Sequence, residues 1–412
     1  MQATPLLLTT LLAAGAAAPD VDFDTDVIPV LTRAGCNAGA CHGAAAGRGG
    51  FRLSLFGSDP EFDHRSIVRE LEGRRVNLAS PDESLLLLKP TSAVRHGGGA
   101  RLDLEGEGAD LLRRWIASGA ARAKARRLLD LRVSPEVHVA DRPGGSVPLR
   151  ATARFDDGSS RDVTRWTVFT PEDPSAVAID GRTATAQLLR RGRHVIVARY
   201  LDRVVPVQVI VPLSDRPVDL TREPRRNFID GHILELLTKL RLPVSPPADD
   251  ATFLRRVTLD LTGRLPTPEQ VFAFAGDGRP DKRDRLIDRL LASEEFNDYW
   301  TYRLAGLLRI RSGAHDGTGV RTYHRWLREQ VASGAPYDRI ARELLTAEGD
   351  AHAVGPANFY RTTGDARQQA EFVSELFLGS RLRCANCHNH PLDRWTQDDY
   401  HGLAAVFARV ER

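Results

Sequence analysis

Hydrophobic positions along the chain follow three successive patterns. Between about residues 21 and 122 they form short helical patches. Asp26-Val27-Ile28-Pro29-Val30-Leu31 reads as one short helix and residues 84–88 as another. Residues 109–118 give a third, with Leu111, Leu112, Trp115 and Ile116 on one face. Between 128 and 213 the period becomes two. Leu149, Ala151, Ala153 and Phe155 alternate with other residues and stop at Asp156-Asp157-Gly158, a turn signal. Trp166-Thr167-Val168, Val177-Ala178-Ile179, residues 194–197 and residues 204–211 continue the short strands and predict a small β-sandwich. From 224 to 412 the helical period returns. Phe228, Ile229, Ile233, Leu236 and Leu237 share a face, and Pro243 and Pro246-Pro247 then interrupt the chain. Thr267-Pro268-Glu269-Gln270 opens the next helix with proline in its first turn. Residues 284–292, 297–309, 319–331, 367–378 and 397–409 complete the segment. The expected fold class is multidomain: mainly α, then an all-β sandwich, then all-α.

Charge and the N-terminus set the surroundings. Residues 6–18 are apolar, end in alanines and precede Pro19-Asp20, so 1–18 reads as a secretory signal cleaved after Ala16 or Ala18, although Lys and Arg are missing from its start. No other apolar run reaches the roughly 18–20 residues of a membrane span. Export to the periplasm or cell surface is the expectation, with no transmembrane span. Lys and Arg total 57 against 54 Asp and Glu, a net charge of +3, too small to imply nucleic acid. The one basic run, residues 121–127, reads as an exposed helix end or linker.

The chemistry lies in the cysteines. All four fall in two clusters, Cys36-Asn-Ala-Gly-Ala-Cys41-His42 and Cys384-Ala-Asn-Cys387-His388. The second has the C-x-x-C-H spacing that attaches c-type haem, two thiols adding to the porphyrin vinyls while the next imidazole reaches the iron. The first has four intervening residues, which changes how its thiols approach the ring. Cofactor contacts are therefore assigned to Cys36, Cys41, His42, Cys384, Cys387 and His388, with haem c, two per chain, as the cofactor. Two other readings stay open. Each pair could close a disulfide in an oxidising compartment, or the four could hold tetrahedral zinc if distant segments met. The glycine-rich stretch 43–50 suits close passage of backbone past a flat ligand, and lacks the Gly-Lys-Ser/Thr ending of a phosphate loop.

With these motifs in view, the chain resembles the planctomycete cytochrome-c-like surface proteins. The N-terminal likeness rests on Cys36-x4-Cys41-His42-Gly43, Gly50-Phe51-Arg52-Leu53-Ser54-Leu55 and Leu112-Arg113-Arg114-Trp115-Ile116. The C-terminal likeness rests on Phe377-Leu378-Gly379, Cys384 through Pro391, and Trp395 through Tyr400. Residues 149–200, with Asp157-Gly158-Ser159 and Asp162-Val163-Thr164, resemble a bacterial immunoglobulin-like domain of group 2. The resemblance implies a cytochrome-c-like domain over 21–122, an immunoglobulin-like domain over 128–213 and a helical domain carrying the second haem motif over 224–412. Immunoglobulin-like modules usually act as spacers or adhesive units; a structural spacer is the expectation here, with cell-surface contacts as the alternative. Relatives often carry a further C-terminal domain, which makes the chain a fragment or a short form.

The methionine count leaves each iron a second histidine, a weaker ligand or an open position. Met1 is the only methionine, so the His/Met ligation of many cytochromes c is not offered by the rest of the chain. His42 and His388 are the expected proximal metal ligands. His96, in His96-Gly97-Gly98-Gly99, is the distal choice for the first haem, where similar domains commonly hold Met. For the second haem His401, His352 and His324 are candidates, with His401 taken forward. His390 lies too close in sequence to His388 to cross to the opposite face. An esterase reading of the His-Gly-Gly-Gly loop fails because no Gly-x-Ser-x-Gly occurs. His64, His138, His194, His232 and His315 read as ordinary surface or core residues. The expected function is an exported multihaem cytochrome that exchanges electrons with redox partner proteins of unknown identity, with no catalytic residues assigned; it is an electron carrier sooner than an enzyme. The alternatives are a peroxide-reducing haem enzyme with an open iron position, and a non-haem surface interaction protein.

Overall fold

The computed structural model describes residues 21–123, 126–311, 317–390 and 392–410. The expected signal segment 1–18 and His315 lie outside them. The described residues form helical N-terminal and C-terminal regions around a central β region, and divide into two compact units, 21–243 with 392–394 and 244–390 with 395–410.

In the first unit a π-helical turn, Phe23–Val27, runs into α1 (Ile28–Arg33) and is followed by α2 (Pro60–Val68), α3 (Leu85–Leu88) and α4 (Glu107–Ala117). Asp22 starts the first turn by accepting from Thr25 N at 2.8 Å, and Asp59 starts α2 by accepting from Phe62 N at 2.9 Å, with Pro60 next. The predicted stripe of α4 is buried. Leu112, Trp115 and Ile116 pack with Phe23, Val27, Ile28 and Leu31 in one apolar cluster, each such side chain contributing about 1.5–3 kcal/mol of burial.

The β region contains β1 (Leu128–Ser134), β2 (Val137–Val139), β3 (Ser146–Pro148), β4 (Arg150–Phe155), β5 (Ser160–Asp162), β6 (Val168–Pro171), β7 (Val177–Asp180), β8 (Thr185–Leu188), β9 (Gly192–Tyr200) and β10 (Arg203–Val211). They form three sheets, ordered β1-β4-β5, β2-β10-β9-β6 and β3-β8-β7, with β2–β10 the parallel pair. On β4, Ala151, Ala153 and Phe155 point into the core and Arg150, Thr152 and Arg154 outward, as the alternation predicts. Trp166 departs from expectation. It belongs to a 3₁₀ turn, Thr164–Trp166, and the strand starts only at Val168. Asp162 accepts from Thr164 N at 2.9 Å and bends the chain there, so the indole packs against the β core and the helical core together.

That indole is one of several ties between the two regions of this unit. Tyr200 donates its hydroxyl to Thr25 O at 2.8 Å. Arg126 and Arg161 reach Asp26 at 3.1 and 3.4 Å, and Arg122 grips both carboxylate oxygens of Asp24 at 2.8 and 2.9 Å. The basic run expected to be an exposed helix end or linker is anchored through Arg122 and Arg126 to the acidic first turn.

The unit ends with α5 (Phe228–Leu240), opened by a capping box of Asn227 and Asp230. Of the residues that share the predicted apolar face, Phe228, Ile229 and Ile233 are 79%, 54% and 50% exposed while Leu236 and Leu237 are half-buried, and the buried residue of the helix is Leu234. The helix is held at its far end, where Leu240 O accepts from Leu213 N at 2.9 Å and Arg241 pairs with Asp141 at 3.8 Å.

The second unit contains α6 (Asp250–Thr262), α7 (Pro268–Ala275), α8 (Lys282–Leu291), α9 (Glu294–Leu307), α10 (Gly317–Ala332), α11 (Tyr337–Leu345), α12 (Ala366–Phe377) and α13 (Gln397–Phe407). The Thr267–Gln270 capping box opens α7 as the sequence predicts. Leu254, Phe274, Leu286 and Leu290 form one small core. Tyr323, Leu327, Leu344, Phe359 and Phe372 belong to a larger one. Among the described residues no helix is long and apolar enough to cross a membrane.

Two predictions follow from the first unit. Tyr200→Phe removes a buried hydrogen bond between regions and should lower unfolding stability by about 1 kcal/mol in urea titration; no change would mean the bond is energetically silent. Asp63, wholly buried on α2, accepts from Ser54 N and Ser54 Oγ at 2.5 and 2.7 Å. Burial pushes its carboxyl up to about 7, against the lowering effect of those bonds. The ordinary value is about 4, so the folded protein binds the extra proton between these limits, and stability should fall as pH rises from about 4 to about 7. Asp63→Asn should flatten that dependence of the urea midpoint.

Candidate functional site

The first cluster begins where α1 stops. Asn37, fully buried, donates its amide to Thr32 Oγ1 at 2.8 Å, and its carbonyl accepts from Phe56 N at 3.1 Å. The loop then closes tightly: Cys41 N donates to Ala38 O at 2.9 Å and His42 N to Cys36 O at 3.0 Å. Gly43 is required at the exit, since a Cβ there would lie 2.0 Å from Asn37 O. The loop therefore returns His42 to Cys36.

The imidazole of His42 is fixed from its rear edge. Its Nδ1 faces Phe51 O at 3.1 Å, and its ring lies 4.6 Å from that of Phe51. Phe51 is held in turn by Arg75, 7% exposed, whose guanidinium sits 4.3 Å from the ring centre and donates to Gly50 O at 2.8 Å and Ser66 O at 2.6 Å. A carbonyl beside Nδ1 fixes the proton there and leaves the Nε2 lone pair free, the arrangement of a histidine prepared for a metal. Burial lowers the His42 pKa; the Phe51 carbonyl opposes this, while His96 and Arg75 reinforce it.

His96 approaches from the loop after α3. Its Nδ1 also faces a backbone carbonyl, Gly99 O at 2.9 Å, and Gly98 leaves room for the ring, since a Cβ there would come within 2.9 Å of it. The His42 and His96 rings are nearly parallel, 12° apart, with centroids separated by 6.2 Å. Both line a cavity of about 650 Å³ that also receives Cys36 and Cys41. Leu31, Leu53 and Leu86 give it apolar walls, and Arg48, Arg74, Arg75, Lys89 and Arg101 give it positive ones; none of the described lining residues is acidic. Burial, then the neighbouring Cys41, pushes the Cys36 thiol up to about 11, with Arg101 opposing. The structure thus gathers all four sequence-predicted residues of the first site. The five cations and the Phe51–Arg75 support were not anticipated.

The second cluster follows α12. A 3₁₀ turn, Leu382–Asn386, buries Leu382 and Ala385 against Tyr400 and leaves Cys384 and Cys387 exposed. His388 Nδ1 faces Asn389 O at 2.7 Å. Asn389 Oδ1 accepts from Gln397 N at 3.0 Å, and Gln397 Nε2 donates to Asn386 O at 3.3 Å, tying the turn to the start of α13. His390 N donates to Trp395 O at 2.8 Å. The distal candidates are scattered: His401 is exposed on α13, edge-on to Tyr400 at 5.2 Å, His324 is exposed on α10, and the His352 carbonyl accepts from Thr322 at 3.0 Å. Among the described ring contacts none joins His388 to another imidazole. All four cysteines are free thiols, and no group of three or more His, Cys, Asp or Glu converges as a metal cage among the described residues. Of the remaining histidines, His64 packs in the core and bonds Ala120 O at 2.9 Å, and His194 bonds Arg190 O at 3.1 Å.

No curated protein matches the sequence. Residues 228–412, less than half of the chain, match the model of the PSCyt2 family, described as a protein of unknown function (DUF1549), which supports a planctomycete-type C-terminal domain.

Proposed function

We propose that this protein is an exported multihaem c-type cytochrome that transfers electrons. In this reading the N-terminal helical region is cytochrome-c-like, the β region is an immunoglobulin-like sandwich, and haem c is held at Cys36, Cys41 and His42 and again at Cys384, Cys387 and His388. The observation that carries the reading is the His42–His96 pair. An imidazole nitrogen binds a metal at about 2 Å, and two rings lining one cavity with centroids about 6 Å apart are close enough for both to hold a single ion. The observed separation is 6.2 Å.

The rest of the cavity fits the same group. Cys36 and Cys41 supply two thiols, the leucines an apolar bed, and the cations partners for two carboxylates. Bound haem supplies a one-electron iron couple. His42 and His96 would both hold the iron through Nε2, a ligation suited to electron exchange. Their Nδ1–H groups, donated to Phe51 and Gly99 carbonyls, hold ring orientation and strengthen Nε2 as a ligand. Ligation by two histidines should give a lower potential than His/Met. At the second cluster Cys384 and Cys387 would hold the group through their exposed thiols and His388 would bind its iron, with His401 the first candidate for a further ligand. Localisation in the periplasm or at the cell surface follows from covalent haem, which is attached outside the cytoplasm, and the redox partner is an unidentified protein.

The test is haem staining after denaturing electrophoresis, with intact mass, on protein matured with haem-attachment machinery. Two haems are expected. Cys384→Ala with Cys387→Ala should remove one and leave the other; a protein with no added porphyrin rejects the reading. His96→Ala should convert one low-spin haem to high-spin in the optical spectrum, and an unchanged spectrum rejects His96 as a ligand.

A further inference from the structure

A second cavity, of about 600 Å³, lies within the helical unit of residues 244–390 and 395–410. Three arginines line it: Arg309 and Arg311 from the chain leaving α9, and Arg361 from the 3₁₀ segment Gly355–Thr362. Like charges sharing one space repel, and none of the described lining residues is acidic. Neither Arg309 nor Arg311 has a carboxylate partner among the described residues. Arg309 adopts a left-handed φ of +57° at the end of α9, and its guanidinium rests 4.0 Å from the Phe372 ring centre.

Two further groups are held in place there. Arg361 Nη1 donates to Asn358 Oδ1 at 3.1 Å, while the buried Asn358 amide donates to Ala351 O and Gly355 O at 2.7 and 3.1 Å. Tyr323, 2% exposed and also on the lining, has a buried hydroxyl with no partner. A buried hydroxyl without a partner is costly, so one beside an arginine cluster points to an acceptor supplied from outside the chain.

We propose that this cavity binds a small organic oxyanion, a carboxylate or phosphate ester, with Arg309 and Arg311 neutralising its charge and Tyr323 donating to it. The volume corresponds to roughly 20 waters, more than a bare ion needs, and Ile310 and Val320 offer an apolar wall to a carbon skeleton. The proposal is independent of haem.

The test uses the full chain. At constant ionic strength, inorganic phosphate or succinate should raise the thermal midpoint above that in chloride, and titration calorimetry should give saturable binding; the stronger probe identifies phosphate or carboxylate as the preferred headgroup. Arg309→Gln with Arg311→Gln should weaken binding by at least about tenfold. Tyr323→Phe keeps the packing, and should weaken binding about tenfold without lowering the midpoint of the unliganded protein. Two outcomes overturn the proposal: neither probe acting beyond chloride, or wild-type affinity in either variant.

Discussion

Two nearly parallel imidazoles that line one cavity, each tied through Nδ1 to a backbone carbonyl, are the constraint around which the first cysteine cluster is arranged. An unliganded histidine pair gains little from proximity, so the surrounding chain must impose it. The loop from Cys36 to Gly43 sets one ring and the turn from His96 to Gly99 the other. Behind His42 stands a chain of support from Phe51 to Arg75 to the Ser66 carbonyl. A buried arginine bonded to carbonyls is a rigid strut whose charge remains close to the cavity. Its cost is the desolvation of a guanidinium, offset by hydrogen bonds and by the face of Phe51. Asp63 does the same for the strand-like stretch after Phe51, through both oxygens on Ser54.

The β region has a structural part in this arrangement. A module expected to act as a spacer is docked on the helical region through Tyr200, Trp166 and a cluster of arginines converging on Asp24 and Asp26. Asp26 is largely buried, and burial raises its pKa while Arg126 and Arg161 lower it. Such a pair is sensitive to loss of either partner, which couples the first turn, and α1 behind it, to the β region. The first cysteine cluster therefore sits on a mount of two layers.

Local rules carried much of this into the sequence. The alternation of Ala151, Ala153 and Phe155, the stripe of α4 and the Thr267–Gln270 box were legible because each is decided by neighbours within one element. Tertiary choices were not. α5 has a clear apolar face, yet the chain buries Leu234 and leaves Phe228 and Ile229 in solvent. Trp166 lies in a β-rich stretch but is claimed by two cores at once. α6 and α11 went unread: Arg255-Arg256 and Asp260 dilute the period of the first, and the second has only nine residues after Pro336. In the site, Cys36, Cys41 and His42 were visible as a cysteine–histidine cluster, and His96 through the resemblance, in the loop where similar domains commonly hold Met. Their supports were not, because a side chain bonded to a carbonyl leaves no pattern in residue type.

The two cysteine clusters pose different physical problems under the proposed function. Reaction of a thiol with a vinyl group proceeds through the thiolate, and Cys36, at about 11, holds little thiolate near neutrality once its region has folded. Attachment at the first cluster is then easiest before α1 and the loop of His96 close around it, so folding would follow the cofactor. Cys384 and Cys387 are exposed on a turn already anchored by Leu382 and Ala385. They can react in the folded chain. The cysteines of the first motif are half-buried and those of the second exposed, so under the proposed function the two groups would differ in solvent access, a lever on potential.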